Sequence, residues 1–137
     1  MGEVRAQVII TNAVDEALAR RGQIDPSAIR RYEADALIDK GAVRSIIPSH
    51  VAQQLGVASR GQRVVQYADG RNDTVDVTEA VIIKILDRDT LEEALILGDE
   101  VLIGQTVLEK TDVMVDCTGQ RVIPNPAHPD QPVTKVK

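Results

Sequence analysis

The chain has 137 residues, of which 43% are apolar, yet it contains no Phe or Trp and only two Tyr. A single domain of this size buries most of its apolar surface without staples, and this core has to be assembled from Val, Ile, Leu and Ala, whose β-branched members favour pleated surfaces over helices. A net charge of −5 argues against a nucleic-acid binder, and the basic pairs Arg20-Arg21 and Arg30-Arg31 are too short and too diluted by acids to make a basic face.

The first predicted element is a strand over Glu3–Thr11, where Val4, Ala6, Val8 and Ile10 alternate with Arg5 and Gln7. Asn12 to Ser27 is polar, with two helical turns expected over Val14–Arg20 and a stop at Gly22. A second strand, Ile29–Ile38, delivers Asp39 to its end. After the Lys40-Gly41 turn, Ser45-Ile46-Ile47 reads as a short buried strand. Pro48 then opens a helix whose apolar face is Val51, Ala52 and Leu55 and whose stop is Gly56.

Arg63–Tyr67 and Thr74–Leu86 read as two strands around Ala68-Asp69-Gly70, because Asp-Gly between β-rich runs tolerates the positive φ of a hairpin turn. A turn at Asp87-Arg88-Asp89 leads to a further strand over Leu91–Leu97. Val101–Gly104 precedes a short helix, Gln105–Lys110, and a closing hairpin pairs Val113–Asp116 with Arg121–Ile123. Residues 1–123 form the expected domain. From Pro124 to residue 137, four prolines predict an extended or disordered tail. Many short strands with turns roughly every ten residues predict a mainly β fold: a small closed barrel with one or two short helices.

The lone cysteine, Cys117, excludes an internal disulfide and follows an apolar run, so a buried structural thiol is expected. No segment approaches the roughly 18 apolar residues of a membrane span. Met1–Arg5 lacks the apolar stretch of a signal peptide, and Ala6 stands where acylation after Gly2 needs Ser or Thr. A soluble cytoplasmic protein with no membrane partner is expected. His50 and His128 have no nucleophile context, and the acids at Leu91-Glu92-Glu93 and Asp99-Glu100 have no metal-ligand spacing, so they read as solvated groups. Neither metal nor cofactor is expected.

Three motifs carry a family resemblance. The loop Leu37-Ile38-Asp39-Lys40-Gly41-Ala42 runs into Ile46-Ile47-Pro48 and a helix ending at Leu55-Gly56. Tyr67-Ala68-Asp69-Gly70-Arg71 makes a second, and Val101-Leu102-Ile103-Gly104 with its following helix a third. In this order the chain resembles the retropepsin-like aspartic proteases, especially their bacterial single-domain branch. The resemblance implies an acid-protease barrel in which Asp39 is catalytic, Lys40, Gly41 and Ala42 complete its loop, and Tyr67, Ala68, Asp69 and Gly70 form a flap over a peptide or protein substrate.

The chemistry behind such a loop is amide hydrolysis by two carboxyls about 3 Å apart that share one proton, because both cannot ionise. The chain has one such loop, so a homodimer is implied, each copy giving one Asp39. Family members have Thr or Ser after the Asp. Lys40 stands there instead, lacks the hydroxyl that braces the two loops, and is expected to weaken both dimer and catalysis. The expected activity is therefore that of an impaired aspartic endopeptidase. The alternative is a non-catalytic peptide-binding or dimerisation module on the same barrel.

Overall fold

The structure, a computed structural model, describes residues 2–137. Strand β1 (Val4–Asn12) pairs antiparallel with β2 (Arg31–Ile38) in unbroken register, from Val4 opposite Ile38 to Thr11 opposite Arg31. Its other edge takes β6 (Val81–Ile85). The predicted alternation holds, with Val8 and Ile10 buried and Gln7 facing out.

Six more strands extend this centre: β3 (Ile46–Ile47), β4 (Ser59–Gln66), β5 (Asn72–Thr78), β7 (Arg88–Glu92), β8 (Leu95–Ile96) and β9 (Leu102–Ile103). The nine strands run β4-β5-β8-β3-β9-β2-β1-β6-β7 across one sheet, and a separate hairpin pairs β10 (Val113–Asp116) with β11 (Arg121–Pro124). Two pairings are parallel, β2 with β9 and β3 with β8. A single apolar cluster touches β1, β2, β6, the hairpin and two helices, so the sheet curls around it into a small barrel. A satellite cluster of Val75, Val77 and Leu95 sits under the β4–β5 hairpin.

Among the described residues there are three short α-helices rather than one or two: α1 (Ala13–Arg20), α2 (Ser49–Leu55) and α3 (Gln105–Thr111). α1 forms because Asn12 caps it, accepting the Asp15 N–H at 3.0 Å. The same side chain donates to the Leu55 carbonyl at 2.8 Å, which ties α1 to the end of α2. Gly56 ends α2 at φ 68, the left-handed geometry that glycine adopts without a Cβ penalty. None of the helices among the described residues is long and apolar enough to cross a membrane.

Several expectations are corrected. The single strand predicted over Thr74–Leu86 is two, because the chain changes partners between them. The Thr78 N–H turns to the Ala94 carbonyl, the Glu79 N–H to that of Ala58, and the Ala80 carbonyl accepts from Ala13. The following turn is Leu86-Asp87, both at positive φ (52 and 62), so Arg88 already belongs to β7. Cys117 is exposed, since it lies in the β10–β11 turn beyond the apolar run that precedes it.

Glu92 is buried rather than solvated, with its carboxylate held by the Thr106 hydroxyl at 3.0 Å and the Lys110 ammonium at 2.6 Å. His128 is not a free surface histidine either, since its Nδ1 lies 2.6 Å from an Asp112 carboxylate oxygen. Asp112 also accepts from the Asn125 side chain and the Val133 N–H, fastening the Pro-rich terminus to the end of α3. Buried Arg88 binds the same segment through the His128 carbonyl, and it also donates to the Thr111 and Asp112 carbonyls at the α3 C-terminus, where a cation is favoured.

Candidate active site

Asp39 follows the last residue of β2, and its position is set by backbone bonds rather than by its own side chain. Its N–H donates to the Ile103 carbonyl at 3.0 Å, continuing the parallel β2–β9 register by one residue. Its carbonyl accepts from Ala42 at 3.1 Å, which closes a tight turn, and one carboxylate oxygen accepts from the Gly41 N–H at 2.9 Å. A Cβ at Gly41 would lie 3.2 Å from that carboxylate oxygen, close enough that the Asp39 side chain would have to shift by a few tenths of an ångström.

The rest of the loop hangs on the start of α3. The Gln105 and Thr106 N–H groups, which a helix N-terminus leaves without internal partners, donate to the Ala42 and Val43 carbonyls at 2.7 and 3.1 Å. Fully buried Ser45 accepts the Gly104 N–H at 3.0 Å. A Cβ on Gly104 would lie 2.6 Å from the Arg44 carbonyl oxygen and 2.9 Å from that of Ala42, so only glycine lets the two segments approach. The third sequence motif is thus the seat of the first. Ser45 was not singled out in the sequence, although a small polar residue ahead of two isoleucines at a core strand was its signal.

Tyr67, Ala68, Asp69 and Gly70 cap the β4–β5 hairpin. The Tyr67 N–H bonds to the Arg71 carbonyl at 2.8 Å, and Gly70, at φ 89, donates back to the Tyr67 carbonyl at 2.9 Å. Asp69 takes both the Arg71 N–H and its guanidinium, at 2.9 and 2.8 Å, and these donors hold its carboxyl below the usual range. The Arg71 guanidinium lies 4.8 Å over the Tyr67 ring. Among the described residues no hydrogen bond joins this tip to the Asp39 loop.

The two regions are linked lower down. Glu93, between β7 and β8, sits 2.9 Å from Arg60 of β4 and 3.5 Å from Arg44 of the loop, whose guanidinium also reaches the Glu93 carbonyl at 3.2 Å. Sequence alone gave no signal for this link, which spans three separate segments.

Within a larger comparison, no family model matches the sequence and no curated protein matches it. Among solved structures, the retroviral protease-like domain of Ddi1 from Leishmania major superposes with a TM-score of 0.55, covering 98% of this chain and 92% of that one at 15% identity. The fold is retropepsin-like. At that identity the likeness concerns architecture and carries no activity with it.

Within the retropepsin-like fold, Lys40 lies beside α3 and β10. It is exposed and borders a depression of about 210 Å³ formed with Gln105, Leu108, Glu109, Met114 and Val115. It forms no ion pair among the described residues. His50, exposed, stands edge-on to Tyr32, with ring centroids 6.4 Å apart, and makes no side-chain hydrogen bond to a Ser or Cys among the described residues. No cluster of three metal-ligating side chains occurs among the described residues.

Proposed function

We propose that this chain is one half of an aspartic-type endopeptidase, with the working site formed by Asp39 of two copies and its turnover lowered by Lys40. The observation that supports this is the seating of Asp39 at the end of β2, clamped onto the β9–α3 junction of a retropepsin-like fold. Across a twofold axis, one Asp39 carboxylate takes a proton from the attacking water while the other Asp39, the protonated member of the pair, donates its proton to the scissile carbonyl oxygen. A peptide strand would lie between this pair and the two Tyr67–Gly70 flaps, held by backbone bonds and read through side-chain pockets. Ile46, Val65 and Leu97, all partly exposed, offer such pockets apolar walls.

Lys40 removes the hydroxyl that would brace the paired loops, so the two carboxylates are held less rigidly for the shared proton. Lys40→Thr should raise peptide cleavage by at least about tenfold, and Asp39→Asn in that background should abolish it. Equal turnover by the parent and the Lys40→Thr variant would remove the case for impairment. A second reading, a peptide-binding module that does not cleave, rests on Lys40 itself. Binding of an extended apolar peptide without cleavage by either variant between pH 3 and pH 8 would establish it.

A further inference from the structure

Lys40 and Glu109 occupy one depression beneath the Asp39 loop, yet neither has an ion-pair partner among the described residues. Lys40 is exposed at the loop. Glu109 is exposed on α3, where its carboxylate accepts one hydrogen bond among the described residues, from the Gln105 amide at 3.1 Å. Beside them Met114 is 49% exposed on β10, an apolar side chain on a strand whose outer backbone edge has no partner among the described residues. An open strand edge bearing an apolar residue and flanked by one unpaired cation and one unpaired anion is a surface ready for pairing.

The signs matter more than the area. A twofold interface is self-complementary: if residue i of one copy meets residue j of the other, then j meets i. A patch with a single cation and a single anion satisfies that rule when each Lys40 faces the other copy's Glu109. The dimer then gains two attractive pairs in place of two facing ammonium groups.

We propose that a second copy of this chain docks on the depression, with Lys40 of each protomer paired to Glu109 of the other. This rests on the homodimer of the proposed function and deepens it. The residue that costs the site its bracing hydroxyl supplies a different bond across the axis. It also draws the Lys40 ammonium down toward α3 and away from the Asp39 carboxylates.

Charge reversal separates this pairing from the dimer as such. Dimer dissociation constants would be measured by sedimentation or mass photometry for the parent, Lys40→Glu, Glu109→Lys and the double reversal, each checked for folding by circular dichroism. Each single reversal should weaken the dimer by about tenfold or more, and the double should return to within about threefold of the parent. The parent dimer should also weaken as salt rises from about 0.05 to about 0.5 M, a readout that needs no variant.

Singles without effect, a double no tighter than the singles, or a salt-independent dimer would overturn the pairing while leaving the two-copy active site intact. A monomeric parent beside a dimeric Lys40→Thr variant would overturn the pairing and support the half-site function. Monomers in both would overturn the two together.

Discussion

Asp112 ends α3 in the left-handed conformation, at φ 57 and ψ 50, and its carboxylate gathers the Asn125 amide, the Val133 N–H and the His128 ring. These donors, Asn125 foremost, pull its carboxyl down from 3.8 to about 2. A carboxyl depressed in the folded state stabilises it above the unfolded value, and the contribution fades as pH falls from about 4 through about 2. Asp112→Asn should therefore lower stability at neutral pH, with the difference from the parent vanishing near pH 2. Urea titrations across that range measure it, and a pH-independent difference would show that the ionised carboxylate is not the source. The prolines read in the sequence could not reveal this anchor, because its acceptor lies more than a dozen residues away at a helix end.

At the scale of elements, strands with clean alternation were legible: β1 differs from its predicted span by one residue at each end, and β10 agrees with its own. The split between β5 and β6 was not, since Glu79-Ala80 contains no Gly or Pro and the break is dictated by Ala58, Ala94 and Ala13, three distant partners. A positive φ at Leu86 was equally hidden, because local propensity places Gly, Asn or Asp there. The candidate site divides the same way. Asp39, Gly41 and the hairpin tip follow from short local patterns, whereas the Arg44–Glu93–Arg60 link exists only in three dimensions.

That link bears on the hairpin's motion. β4 and β5 pack on the rest of the barrel through the small Val75–Val77–Leu95 cluster, and Glu93 holds β4 to the Asp39 loop. Glu93→Gln should speed amide exchange in β4 and β5 while changing global stability by less than about 1 kcal/mol, the scale of a partly exposed ion pair. Uniformly faster exchange throughout the barrel would instead mark Glu93 as an ordinary contributor to overall stability.

For the whole molecule, a site assembled from two identical halves has a kinetic signature. Adding an equal amount of inactive Asp39→Asn chain to Lys40→Thr chain, at constant total concentration and free exchange, should leave about a quarter of the activity of undiluted Lys40→Thr, because only homodimers of the intact chain carry both acids. Half the activity would mean that each chain works alone. At this scale the mainly β class followed from many short strands with turns roughly every ten residues, with the Val- and Ile-rich composition favouring pleated surfaces.

The first turn of α3 has already spent its N–H groups on Ala42 and Val43, and Gly104 brings that turn against Arg44 with no side chain between. Loop and helix are therefore one mechanical part, with the acid at one end and Glu109 on the outer face. In the proposed dimer, a second copy gripping that face would set the tilt of the acid at the other end. Assembly and alignment of the carboxylates would then be a single event, and a substitution along α3 that lets the helix roll should register in an activity assay before it registers in a melting curve.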